Sequence, residues 1–411
     1  MPSDDVLPYD IAIQIIDIVG ETKNTNLLKR LALVSHSFNQ LCSKYLFATI
    51  ELHDAKHRTP SSKKGFIKLV ESRPDVIRYI HKLTYNLTRA RCKKANVDHL
   101  VSPVLSNFLP TISCLNTLEI IGLDNTSYSK RQWNRLDSSL TSSFLHLMHL
   151  PTINHIHLSN IVDFPLSSLA SCVNLHGLNI RSPFNWLEEE CSVVQSKIAP
   201  KIREFQTELS FESMKTLLHA KRQDGQPAFD FMDLRRLSMF FARSEDYQNL
   251  RYLLQNAKLF EELHLEFGGG YSASLLGLDE ILSASARTLK VLDLTVLFSS
   301  YLLVGLCEKL EAMAGHDTLE ALSFEFVLEH HEREDSIGTI VQEVETLLVK
   351  PGWSALRQVS IKFSIALACG SREYRAELVE TLQCLPDIYL SRLSNLESVA
   401  FNYSVVRRNT G

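Results

Sequence analysis

The chain has 411 residues, 45% of them hydrophobic and 22% charged, with 15 Gly and 13 Pro. That length exceeds what one compact core usually serves, so two or more units or one elongated array are expected, and the composition excludes a disordered or loop-dominated chain. A formal net charge of -4 gives no basis for bulk binding to nucleic acid or to an acidic membrane surface.

The first predicted element is short and apolar. Residues 7–20 read LPYDIAIQIIDIVG. Pro8 fits a first helical turn, where no amide hydrogen is needed, and Asp10 lies near the positive end of the helix. Ile11, Ile15, Ile18 and Val19 share one face, widened by Ile13 and Ile16, and Gly20 is expected to end the helix. After the polar stretch ETKNTN (21–26), Asn26 is placed to cap a second helix over 27–34 that carries Leu28, Leu31 and Val34. Ser35 can cap a third, HSFNQLCSKYLF, with Phe38, Leu41, Cys42 and Tyr45 along one side. So small a trihelical unit buries too little area to be stable alone, which calls for a partner or a larger body.

Together these residues resemble the F-box family. Leu7-Pro8, the spaced aliphatics Ile11 and Ile15, then Leu31, Val34-Ser35 and Phe38 fit its pattern, although many members carry Trp where Phe38 stands. The following YLFATIEL (45–52) is similar to the tail of fungal members. The resemblance implies a substrate receptor of a Skp–cullin–F-box (SCF) ubiquitin ligase. Leu7, Pro8, Ile11, Ile15, Val34 and Phe38 would then contact a Skp-family adaptor and, through it, cullin, while Leu28 and Leu31 serve the unit's own core. Such a receptor is not an enzyme; it works by holding a protein substrate near a charged conjugating enzyme. A scaffold that bears the same head and has no ligase role is the alternative.

From about residue 80 one phrase recurs: apolar, two others, apolar, one other, apolar. It reads Ile80-x-x-Leu83-x-Tyr85, then recurs from Leu115, Ile153, Leu175 and, weakly, Ile202. Cleaner copies start at Leu234, Phe260, Leu289 and Leu319, and two more at Leu356 and Leu396. The last three positions alternate as a short strand does. Helical spacing appears between the phrases at 65–70, 247–254, 278–286, 301–314 and 337–349. A strand and a helix cannot bury their apolar sides alone, so neighbours must stack. This segment resembles a degenerate leucine-rich repeat that usually lacks the turn Asn of that family. The predicted fold class is therefore α/β: an N-terminal three-helix F-box at 1–52, a linker and first helix at 53–78, and an irregular leucine-rich-repeat solenoid at 79–411, strands concave and helices convex.

The positions flanking the last apolar residue of each phrase would line the concave face, the usual binding surface of solenoids. Phe240, His264, Glu266, Asp293 and Glu325 fall there on neighbouring strands. They read as an acidic patch with an exposed aromatic anchor, suited to a basic segment of a protein substrate. Three other motifs read as structural. EHHERED (329–335) is a solvated loop, since adjacent histidines on a strand cannot face one ion. GGG (268–270) lacks the rest of a phosphate-binding fingerprint and reads as a turn, and the basic runs at 56–64 and 89–94 read as solvated loops. Eight scattered cysteines without a C-x-x-C pair read as reduced buried thiols. No cofactor, metal, nucleic acid or membrane is expected, and no signal-peptide layout opens the chain, which places it in the cytoplasm, the nucleus or both.

Overall fold

The computed structural model describes residues 8–53, 62–88, 104–123, 131–181, 184–187, 193–194, 198–243, 245–268, 278–285, 287–297, 306–311, 313–315, 317–328, 334–366 and 372–407. Two compact units divide the chain, one of 1–200 with 221–228 and the other of 201–220 with 229–411.

The first unit opens with three helices. α1 (Tyr9–Glu21) starts on the Pro8 carbonyl, which accepts from Ile11 N at 3.0 Å and Ala12 N at 3.1 Å. Its buried residues are Ala12, Ile16 and Gly20, spaced by four, so one narrow ridge faces inward. Gly20 lies inside the helix instead of ending it: a Cβ there would overlap the ring of Tyr45. That ring is pinned, because Tyr45 Oη donates to Asp17 Oδ1 at 2.9 Å and Lys44 Nζ to the same oxygen at 2.7 Å. Lys44, then Tyr45, hold the Asp17 carboxyl below its usual range.

α2 (Thr25–Leu31) is capped by Asn24, whose side chain accepts from Leu27 N at 3.1 Å, and not by Asn26. Lys23 takes a left-handed φ of 55°, which turns the chain two residues sooner than the helical pattern suggested. α3 (His36–Leu46) is capped by Ser35 as its sequence predicts, with Oγ accepting from Phe38 N at 3.3 Å. Ile16, Leu28 and Cys42 form the fully buried centre of this head. Arg73 ties α3 to the body of the unit, donating to Asn39 Oδ1 at 3.0 Å and to Ser43 Oγ at 3.3 Å.

All eleven recurring phrases coincide with strands, and one more strand, on a copy of the phrase (Phe47-x-x-Ile50-x-Leu52) not counted among them, precedes them. β1 (Thr49–Leu52), read from sequence as the tail of the head, pairs in parallel with β2 (Lys82–Thr88). β3 (Thr117–Leu123), β4 (His155–Ser159) and β5 (Gly177–Arg181) continue the parallel run in this unit. Leu52, Tyr85, Ile120, Leu158 and Ile180 are aligned across it, all buried. The head and these strands thus belong to one compact unit, with no break at residue 52.

The second unit holds seven parallel strands: β6 (Glu204–Thr207), β7 (Arg236–Phe241), β8 (Glu262–Phe267), β9 (Val291–Leu297), β10 (Ala321–Leu328), β11 (Gln358–Ile365) and β12 (Ala400–Arg407). Parallel pairing needs a crossover between strands, supplied by helices such as Phe211–His219, Asp246–Asn256, Leu278–Ser285, Leu306–Glu311 and Glu334–Val349. Phe205, Leu237, Leu263, Leu292, Leu322, Val359 and Phe401 align across the seven strands.

A backbone device repeats at nine of the strand entries, β2 to β5 and β7 to β11. One carbonyl accepts two consecutive amides of the next unit: Ala48 from His81 and Lys82, both at 2.9 Å, then His81 from Asn116 and Thr117. In the second unit Arg203, Arg235, Glu261, Lys290 and Glu320 carbonyls do the same. The turn is satisfied by main chain whatever side chain stands there.

Lys63 and Lys64, read as part of a solvated loop, instead lie in the helix Ser62–Ser72. Lys63 is buried with its ammonium 4.4 Å from the centroid of the Tyr85 ring, a cation–π contact. The basic run at 89–94, residues 329–333 of EHHERED, and Gly269 and Gly270 lie outside the described residues.

Gly20→Ala is expected to destabilise the first unit by about 1–3 kcal/mol, the usual cost of overpacking. Gly65→Ala is the control: nothing lies within 4 Å of an added Cβ, so helix propensity makes it neutral or stabilising by up to about 1 kcal/mol. Urea midpoints of the two variants check this.

Candidate interaction surfaces

Because α1 turns Ala12, Ile16 and Gly20 inward, Ile11, Ile15 and Ile18 face solvent, while Ile13 is half-buried and Val19 packs against the centre of the head. Ile11 is 42% exposed, Ile15 38% and Ile18 63%, and in the turn before α3 Leu33 is 85% and Val34 65% exposed. Pro8 is exposed as well. Ile16, read from sequence as widening the outer face, sits on the opposite, buried ridge. Phe38 is half-buried, packed against the Ile16, Leu28 and Cys42 centre. Leu7 lies outside the described residues. Leu33 was not singled out from sequence, which placed it inside a second helix over 27–34; α2 ends at Leu31 and leaves Leu33 in the turn before α3.

On the strands, the five residues singled out in the second unit do neighbour one another. Ser238, His264, Asp293 and Ser323 form one row across β7 to β10, and Phe240, Glu266, Thr295 and Glu325 form the next. Their character differs from the expectation. Phe240 is half-buried instead of exposed, its ring lying where a Cβ on Gly268 would meet Cζ at 2.6 Å. Glu325 is engaged: Lys362 Nζ stands 3.2 Å from Oε2, and Ser364 Oγ donates to Oε1 at 2.6 Å. Buried Thr295 stands between Glu266 and Glu325, leaving them about 10 Å apart, two strand spacings. His264 Nδ1 lies 4.0 Å from Asp293 Oδ2. The patch therefore carries both signs of charge.

A tighter polar cluster sits on β2 to β4 of the first unit. Lys82 Nζ lies 2.7 Å from Glu119 Oε1, and Thr84 Oγ1 donates to Oε2 at 2.7 Å. His157 Nδ1 stands 3.8 Å from Oε1, beyond direct hydrogen-bond reach, and its Nε2 is buried without a hydrogen-bond partner among the described residues. His157, then Lys82 and Thr84, hold the Glu119 carboxyl down to about 2 against the opposing effect of burial. Asn86 Nδ2 donates to Glu51 Oε1 at 2.6 Å in the adjoining row. Sequence periodicity places these residues on the strand face but carries no signal that the charges would pair across strands.

Burial pushes the Cys172 and Cys307 thiols up to about 12, so both are held as thiols and not as thiolate nucleophiles. Among the described residues no group of three or more His, Cys, Asp or Glu is placed to hold a metal ion. No helix among them is long and apolar enough to cross a membrane.

The Glu119 cluster has a definite pH signature. A carboxyl whose folded value drops from 4.5 to about 2 adds stability that is complete above the unfolded value and is lost as pH falls through that window. The stability difference between the natural chain and Glu119→Gln is expected to be full at pH 6 and to shrink steadily below about 4.5. Thermal melts across pH 2–6 check it.

No protein-family model matches the chain, and comparison with curated proteins finds no match.

Proposed function

We propose that this chain is the substrate-recognition subunit of an SCF-type ubiquitin ligase: its trihelical head docks on a Skp-family adaptor, and a leucine-rich-repeat-like array receives a protein substrate. The single observation that carries the reading is the exposure of Pro8, Ile11, Ile15 and Val34 on a head whose own core is only a few residues wide. Burying such side chains against a partner is worth about 1.5–3 kcal/mol each, which is a large reward for so small an element. The F-box resemblance of these same residues supplies the identity of the partner.

The array supports the rest of the reading. Parallel strands in register, joined by helical returns and stitched at most entries by a shared carbonyl, suit a stack of repeats that offers one strand face to a ligand. That face mixes acids with Lys362 and His264 in the second unit, so the substrate is recognised by a pattern of both charges, not by a uniformly basic segment. The mechanism is proximity: no side chain of this chain takes part in the transfer, and the gain comes from effective concentration.

Ile11→Asp, Ile15→Asp and Val34→Asp are each expected to weaken binding to a purified Skp-family adaptor at least tenfold, since 1.4 kcal/mol is tenfold. Because these residues are exposed, the variants should keep the circular dichroism and melting temperature of the natural chain. Glu266→Lys, on the strand face, should leave adaptor binding unchanged. Adaptor affinity unaffected by all three head substitutions contradicts the reading. Co-purification of cullin separates the ligase receptor from a scaffold that has no ligase role.

A further inference from the structure

Three carboxylates on the strand face of the second unit are already matched by cations. Glu204 and Glu262 share the Arg236 guanidinium, at 3.1 and 3.0 Å, and Glu325 holds Lys362 at 3.2 Å. Glu266 is different: it is half-buried, yet no hydrogen bond or ion pair engages it among the described residues. Asp293, one row back on the next strand, meets only His264 Nδ1 at 4.0 Å, beyond hydrogen-bond reach.

Thr295 stands in the angle between these two acids. It is level with Glu266 on β8 and with Glu325 on β10, and it lies two residues beyond Asp293 along β9. Alternation puts it on the strand face, since Leu292, Leu294 and Val296 take the core side. Thr295 is only 5% exposed, and no hydrogen bond engages its hydroxyl among the described residues. A buried hydroxyl of this kind is costly unless a ligand supplies its partner. Phe240 borders Glu266 on the other side, in register with it on β7, and the outer end of its ring lies over Gly268, which has no side chain to displace it.

The spacing decides which cation fits. Strand separation and rise put the Cα atoms of Glu266 and Asp293 roughly 8 Å apart, and no group of three or more His, Cys, Asp or Glu among the described residues is placed to hold a metal ion. A guanidinium carries a planar fork of five N–H donors, enough for two carboxylates and a hydroxyl, and it stacks on aromatic rings. We infer that this cluster seats one arginine side chain of the protein substrate. The guanidinium lies between Glu266 and Asp293, donates to Thr295 Oγ1, and has the Phe240 ring beside it. This seat deepens the proposed reception of a substrate and rests on that reading for its protein occupant.

A phage-displayed library of random linear peptides, selected on the full chain without adaptor, tests the seat, with fluorescence polarisation of the strongest binder. The selected peptides should share an arginine. Its replacement by citrulline, which keeps the shape and removes the charge, should weaken binding about tenfold. Glu266→Lys should weaken the arginine peptide about tenfold and favour the same peptide with glutamate in that place. Thr295→Val should cost about fivefold. Glu311→Lys, the same charge change on a crossover helix, should have no effect, and all variants should keep the circular dichroism of the natural chain. Selected peptides without a shared arginine overturn the inference. So does equal binding of the citrulline peptide, or an arginine peptide indifferent to Glu266→Lys. Adaptor binding is measured separately: its absence would remove the ligase reading and leave the peptide results standing.

Discussion

α1 packs against α3 through its smallest residues, and that close approach shapes the whole head. Gly20 admits the Tyr45 ring where any side chain would collide, and Ala12 keeps the same ridge low. Tyr45 is held in place by Asp17, which also takes the Lys44 ammonium. With the inward ridge so narrow, Ile16 supplies the buried apolar bulk from this helix, flanked by half-buried Val19, and Ile11, Ile15 and Ile18 are left outside. An exposed aliphatic strip of this kind costs solubility unless it is covered. The proposed adaptor docking is the function that accounts for retaining it.

The strand array obeys a different constraint. Parallel strands must satisfy their entry turns without a hairpin, and at the entries of β2 to β5 and β7 to β11 a main-chain carbonyl serves two successive amides. Because main chain does that work, side chains at the turn are free to vary: Ala48, His81, Asn116 and Asn154 all occupy it in the first unit. The intervals between repeats vary for the same reason, since the crossover can lengthen without disturbing the stitch. The strand face is then the place where residue choice is free to serve recognition. It carries paired charges, with Glu119 the most strongly held.

Much of this was legible in the sequence. The period-two phrase marks each of β2 to β12, and in β2 to β11 the alternate residues are buried, so alternation is enforced by packing. Thr49–Leu52 escaped because it comes directly after the head and was read as its tail, although Phe47-x-x-Ile50-x-Leu52 carries the same phrase. The Asn24 cap was missed because three polar residues in succession offer equal capping chemistry, and only the left-handed turn at Lys23 decides between them. The division of α1 into faces was half legible. Periodicity grouped Ile11, Ile15, Ile18 and Val19; the first three are exposed but Val19 packs on the core, and only the close approach of Tyr45 at Gly20 shows which side is inside. On the strand face, position was readable and pairing was not: that Lys362 and Ser364 would engage Glu325 depends on register between strands 37 residues apart at Glu325↔Lys362.

The central claim is that the outward strip of the trihelical head is a docking surface. Hydrogen–deuterium exchange across the full chain, alone and saturated with a purified Skp-family adaptor, tests it most directly. The account predicts slowed exchange in residues 8–18 and 33–38, with β8 and β10 unchanged. Exchange in the head that the adaptor leaves untouched, or protection confined to the strands, would contradict it.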